Sequence, residues 1–497
     1  MSKALPEIMP AVVAEDVSEA TAEPQGYGKV FEKIRGERAD REPGRIGALR
    51  REAMSRFGEL GFPTKRQEEW RSTDIRAIAE TSFSFEALAD CGAASVSESD
   101  CEGVRYPDTH ELVFVNGLFR ADLSRLRSLP EGTIACSLEE AWREHPELVE
   151  PHLGRHAKFD DHAFVALNTA LHQNGAFVFF PRNTIVETPI HVLHLGRGGD
   201  SPVASFPRNL FVAEENSQGR IIEQYATAAA AGEPGEPGEI DAVSKHSDSR
   251  GRHFACPVTE VVLAPNAVID HYKLQRESTD AFHMATFQIY LDRSSNFCSH
   301  SISWGGGLVR NDVNAVLDGE GCEATLNGLY MVGGKQLVDN HMRVDHVAPH
   351  CDSHELFKGI LDGHARAVFS GRIYVHKGAQ KTDAKQTNRN LLLSPTALVH
   401  SNPTFGAGVA RAPNPPSATV HSESSNPRAN QYPSGLSVVT LQDWRVCSLV
   451  ASTVRKTGTG PLSASCSGLA HSGLTFSTER SYVISPFTSP STSVVCV

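Results

Sequence analysis

The amino-acid sequence predicts a mainly β protein, a parallel β-solenoid preceded by a helical N-terminal region and followed by an irregular C-terminal tail. Three observations lead there. The apolar period changes from about 3.6 residues to 2 after Gly175. No helical segment of crossover length separates the strands between Phe254 and Ser394, which excludes a doubly wound sheet and leaves a sandwich, a barrel or a solenoid. Turn signals then recur on a short beat, at Asp318-Gly319-Glu320-Gly321, Gly333-Gly334, Asp362-Gly363 and Lys377-Gly378, without the strong hairpin dipeptides of antiparallel sheets, which favours the solenoid.

The elements follow in order. Residues 1–26 are polar, Pro- and Glu-bearing and unpatterned, and read as a disordered leader. Residues 27–175 form the helical region. From Pro43, Ile46, Leu49, Ala53, Phe57 and Leu60 fall on one helical face, and Gly61 and Pro63 supply the stop. A second helix starts at Ser137, the N-cap of a capping box closed by Glu140. A third runs from about Asp161, with Phe164, Leu167 and Leu171 on one stripe and Gly175 at its end. Residues 176–400 are the β core: "AFVFF", "IHVLHL", "TEVVLA", "FQIYL", "ATLNGLYMV" and "AVFSGRIYV" are short and rich in β-branched and aromatic residues. The stretch 231–251, "AGEPGEPGEIDAVSKHSDSRG", reads as a flexible surface insertion in that core. Residues 401–497 read as a low-complexity Ser/Pro-rich tail.

Within the core, Gly371 to Ser394 holds some fourteen consecutive positions without a large apolar side chain. In a solenoid, like residues stack coil on coil, so Gln380, Thr382, Gln386, Thr387, Asn388 and Asn390 are suited to bridging coils through side-chain hydrogen bonds.

The chain of 497 residues carries 47 basic and 59 acidic side chains, a net charge of -12 that disfavours nucleic acid or anionic lipid as the main partner. The N-terminus lacks the basic end and apolar run of a secretory signal, and no run of about 18 apolar residues occurs, which points to the cytoplasm. Ten cysteines without a CxxC or regular spacing read as reduced thiols.

Candidate chemistry is sparse. The densest cluster, "DNHMRVDHVAPHCDSHE", offers His341, His346, His350, Cys351 and His354 as metal ligands of the kind zinc and iron take, although no pair has the helical HExxH spacing. Hydrogen-bonding turn residues are the competing reading. Cys298 and His300 share a strand face and could form a thiol–imidazole pair, but no third orienting group is identifiable and a packed core cysteine is the preferred reading. There is no GxxxxGK[ST] and no GxSxG, and Gly305-Gly306-Gly307 reads as a permissive turn, not a nucleotide loop. No catalytic or cofactor-binding residue is therefore assigned.

The segments "GFPTKRQEEWRSTD" (61–74), "FVNGLF" (114–119), "LNTALHQNGAFVFFPRNTIVETPIHVLH" (167–194) and "SHSISWGGGLVRNDVNAVLDGEGCEATLNGLYMVGGKQLVDNHMRVDH" (299–346), with the 371–394 stretch, resemble the SufB/SufD scaffold family of the SUF iron-sulfur cluster assembly system over about residues 45–400. The resemblance implies a right-handed parallel β-helix and a non-catalytic scaffold that pairs side by side with a SufB-like paralogue. It also implies a SufC-like ATPase held through a C-terminal helical domain, and a transient iron-sulfur cluster at a subunit interface with no resident cofactor in this chain. The alternatives are a β-helix enzyme acting on polysaccharide and a metal-dependent enzyme on an antiparallel barrel using His341–His354. The resemblance stops at "NRNLLLSPTALVHSNPT": the expected strand with a Cys-Ser-His-Gly type motif and the following helices are missing, and the expectation is that the reading frame, or the gene model, breaks between about Ser401 and Gly406.

Overall fold

The computed structural model describes residues 26–38, 44–85, 96–198, 201–228, 252–407 and 417–425, and two short strands at 482–483 and 495–496. The expected leader, apart from Gly26, and the 231–251 insertion lie outside the described residues.

From Ile190 onward the chain passes alternately between two sheets, so that neighbours within a sheet are one full coil apart. One sheet carries Gln218–Thr227, Val268–Arg276, Asn296–Ser303, Glu323–Val332, Asp352–Leu361 and Asp383–Leu392; the other carries Arg208–Ala213, Val258–Leu263, Phe282–Leu291, Leu308–Leu317, Leu337–His346, Arg366–Val375 and Leu398–Ala407. All of these pairs are parallel. Leu308 lies beside Leu337 and Leu337 beside Arg366, so one coil is 29 residues there. The result is a parallel β-solenoid of about seven turns. Parallel pairing through the whole core rules out the antiparallel barrel.

The alternation seen in sequence becomes an inside and an outside. In Glu323–Val332 and Asp352–Leu361 every second residue is buried, as a strand with one face on a core requires. Leu263, Leu291, Leu317, Phe297, Phe357 and Phe369 fill the axis as one contiguous core. The turns stack so closely that some positions admit only glycine. A Cβ on Gly319 would lie 1.9 Å from the backbone nitrogen of Arg293 in the coil below, and one on Gly305 would lie 2.2 Å from the Glu277 carbonyl oxygen. The Gly305–Gly307 run thus serves coil packing.

The expected helices form at Gly44–Leu60, Leu138–Glu144 and Ala163–Leu171. Ser137 Oγ accepts a hydrogen bond from Glu140 N at 3.2 Å, the N-cap read from "SLEE". Ile46, Ala53 and Phe57 are buried as their spacing requires. Phe164 packs against Trp70 and Phe254 with ring centroids 5.4 and 6.3 Å apart, which seats the helices on the outer side of one sheet.

The boundaries at 175 and 400 shift. Residues 27–175 also contain strands: His110–Val115 pairs in parallel with Ile190–Gly196 and antiparallel with Leu118–Phe119, and Ile134–Ser137 pairs antiparallel with Ala176–Phe180. The first of these is a hairpin about Asn116-Gly117, both with positive φ (49° and 82°), the conformation that Asn-Gly turns favour. At the other end, Leu398–Ala407 and Ser417–Ser425 continue the two sheets beyond residue 400.

Candidate functional site

The interior of the solenoid is apolar along one side and polar along the other. Glu223, fully buried, accepts from Thr259 Oγ1 at 2.7 Å, Asn209 Nδ2 at 3.1 Å and the Tyr225 hydroxyl. Its second oxygen meets His271 Nε2 at 3.1 Å, and His271 Nδ1 meets Ser299 Oγ at 3.1 Å. Burial alone would raise the Glu223 carboxyl; the hydrogen bond and charge of His271 and the charge of Lys273 outweigh it and hold the pKa at about 2. Glu277 is similarly enclosed, 2.9 Å from His253 Nε2, 2.8 Å from His283 Nδ1 and 3.0 Å from Gln275 Nε2. Lys273 Nζ donates to Asn311 Oδ1 at 2.6 Å, and Asn311 Nδ2 donates to Asn340 Oδ1 one coil above at 3.1 Å. Burial draws the Lys273 ammonium down to about 8. The two carboxylates and the Lys273 ammonium are buried and set against polar partners, the arrangement in which buried charge is tolerated.

The polar string of 371–394 belongs to this seam. Gln386, Asn388 and Asn390 point inward and are buried. Gln386 Nε2 donates to Glu355 in the coil below, and the Tyr330 hydroxyl two coils below donates to Asn388 Oδ1 at 3.2 Å and to Asn390 Oδ1. Thr382 caps a turn by donating to the Ala379 carbonyl at 3.1 Å. The expected bridging between coils is thus observed for three of the six residues, and it occurs on the inside of the wall.

A second charged cluster joins the helical region to the solenoid. Arg310, outward-facing yet buried, lies 2.9 Å from both Asp312 Oδ1 and Asp339 Oδ2, donates to the Glu69 carbonyl at 2.8 Å and stacks over the Trp70 ring with its guanidinium carbon 3.8 Å from the centroid. His162 from the third helix reaches Asp312 at 3.3 Å. Neither Arg310 nor Trp70 stands out in sequence, because the junction joins residues some 240 positions apart.

The candidate ligands separate. His341 sits at this junction, 3.0 Å from Asp339. His346 is buried and shares a hydrogen bond with Ser353 Oγ at 3.0 Å, while its Nδ1 has no partner. His350 lies in a turn with φ 59°, partly exposed, 3.9 Å from Glu320. Cys351 is buried directly after it, and His354 lies on the outer side of the opposite sheet. Among the described residues no three His, Cys, Asp or Glu side chains converge as a metal cage. What the fold does bring together is Cys351, His346 and Cys322. Both sulfurs lie against the Gly319 carbonyl oxygen, at 2.9 and 3.2 Å, and the effect of each thiol on the other raises Cys322 and lowers Cys351, with His346 adding to the lowering. Cys298 and His300 do share a face, with Sγ 3.4 Å from Nε2.

The last described strands of the two sheets are Leu398–Ala407 and Ser417–Ser425. Leu398–Ala407 pairs on one side only among the described residues, and Leu398, Leu393 and Phe405 are exposed. Phe405 aligns with fully buried Ile373 and is 39% exposed because no described coil covers it.

Helices seated on the outer side of a stacked parallel wall, with a polar seam inside it, define a helix-covered β-solenoid. Residues 194–406 match the core domain of the SUF system FeS cluster assembly SufBD proteins, and residues 21–192 match the SufBD N-terminal region. The chain belongs to the SufB/SufD family. It is 32% identical over 359 residues to an iron-sulfur cluster assembly SufBD family protein of Synechocystis sp., covering 71% of this chain and 75% of that one. It is 25% identical over 346 residues to the iron-sulfur cluster assembly protein SufD of Escherichia coli (69% and 73% covered) and 24% identical over 375 residues to SufD of Bacillus subtilis (73% and 78%). The core match ends at residue 406, inside the interval where the sequence resemblance breaks. No helix among the described residues is long and apolar enough to cross a membrane.

Proposed function

We propose that this chain acts as a non-catalytic scaffold subunit of SUF-type iron-sulfur cluster assembly, lying beside a SufB-like paralogue, with the nascent cluster as cargo at the interface between them. The match of residues 194–406 to the SufBD core domain, on a parallel solenoid wall, carries this reading. The relatives named SufD support a part in iron-sulfur cluster assembly, the pairing is what the family resemblance implies, and a sequence without a Walker loop suits a subunit that depends on a separate SufC-like ATPase. That ATPase contact falls to residues beyond the core match.

The test is co-expression with SufB-like and SufC-like subunits of the same source, followed by affinity purification of this chain. Stoichiometric recovery of the SufB-like subunit is expected. The SufC-like subunit is expected only with a version translated in another frame after codon 404. A folded chain that retains no SufB-like partner would overturn the reading, and stoichiometric SufC-like retention by the present chain would overturn the frame assignment.

A further inference from the structure

Cys322 and Cys351 occupy equivalent places in two successive turns. Glu323 is in register with Asp352, and Asp352 N donates to the Cys322 carbonyl at 2.9 Å, so the two cysteines face each other one coil apart. Adjacent strands lie about 4.8 Å apart, and disulfides span Cα separations of roughly 4.4 to 6.8 Å. Both sulfurs lean on one acceptor: Cys322 Sγ is 2.9 Å and Cys351 Sγ 3.2 Å from the carbonyl oxygen of Gly319. The site is sealed, both residues being at most 1% exposed, but by a single turn whose flanking Glu320 and His350 reach solvent. Strand stacking fixes the pairing, so neither thiol has to search for the other.

We propose that Cys322 and Cys351 form a redox-active dithiol that closes to a disulfide linking two coils, with hydrogen peroxide as the small oxidant able to enter on local opening of the turn. The Cys351 thiolate attacks one peroxide oxygen, giving a sulfenic acid and releasing hydroxide, which takes up a proton to become water. The Cys322 sulfur then attacks the sulfenic sulfur, forming the S–S bond and expelling a second water after proton transfer. Peroxide gains two electrons and the two thiols lose them, with two waters as products. The mutual effect of the thiols favours Cys351 as the attacking group.

The full chain, reduced and freed of reductant, is treated with hydrogen peroxide, acid-quenched, denatured, alkylated and mapped by peptide mass spectrometry. The expected result is one cross-linked pair joining the peptides of Cys322 and Cys351, lighter by two hydrogens, released by dithiothreitol and absent without peroxide. In Cys322→Ala the cross-link should vanish and Cys351 should accumulate as sulfenic or sulfinic acid. Should that variant fail to fold, the wild-type map alone decides. Alkylatable Cys322 and Cys351 after peroxide has oxidised the half-buried Cys298 would overturn the proposal, as would pairing of either cysteine with a different partner.

Discussion

Glu355 offers a direct test of the interior seam. It is fully buried, with Oε2 accepting from Gln386, while its Oε1 and the Gln386 Oε1 have no donor. A proton on Glu355 supplies the missing donor, and burial, against the smaller opposing effect of the Gln386 bond, raises its pKa from the ordinary 4.5 to about 7. Each pKa unit is worth about 1.4 kcal/mol, so the native state is disfavoured by about 3 kcal/mol once the group is ionised in both states. The sign follows from proton counts. Below pH 4.5 both states hold the proton and the effect is absent; between 4.5 and 7 only the native state holds it, so stability falls as pH rises; above 7 the whole penalty stands. Glu355→Gln cannot ionise. Denaturant unfolding of both proteins from pH 4.5 to 8.5 should therefore show their stability difference growing in favour of the variant, by about 3 kcal/mol across that range. A difference that stays flat with pH would refute the placement of an uncompensated carboxyl at this position.

Three further outcomes follow from the same contacts. Arg310→Met should strand Asp312 and Asp339, destabilising the chain by roughly 3–5 kcal/mol and loosening residues 61–80, read by denaturant unfolding and by faster proteolysis in that segment. Gly319→Ala should collide with the Arg293 backbone and lower the melting temperature sharply, whereas Gly333→Ala, with open space around it, should be tolerated. Glu223→Gln should lose about 3 kcal/mol at pH 7. Because the Glu223 pKa is depressed to about 2, that difference should persist above pH 4.5 and shrink as pH falls toward 2, measured by acid titration of both proteins.

The solenoid was legible because two of its causes are local. Period-2 burial and glycine-bearing turns leave marks within a few residues of each other, as in Ala324 to Val332 and Gly334, whose φ is 57°. The three helices were legible for the same reason. The hairpin at Asn116-Gly117 was missed although its dipeptide is the strongest local turn signal, because helical periodicity on both sides dominated the reading. The seam was only half legible. Polarity in Gln386, Asn388 and Asn390 was plain, but which side of the wall they face is set by register against Glu355 and Tyr330, a relation that runs between coils. The same holds for the clustered histidines. Proximity in sequence placed His341, His350 and His354 together, whereas successive strands belong to opposite sheets and carry them apart.

Strands as alike as these could slide along one another by two residues and still keep their oily faces hidden. The hydrogen-bonded pairs threading the axis forbid it: displaced that far, Lys273 loses Asn311 and Gln386 loses Glu355, each stranded away from water. The seam therefore works as a key that admits one alignment per coil, and a whole-coil deletion that preserves those matings should be accepted where a shorter one jams.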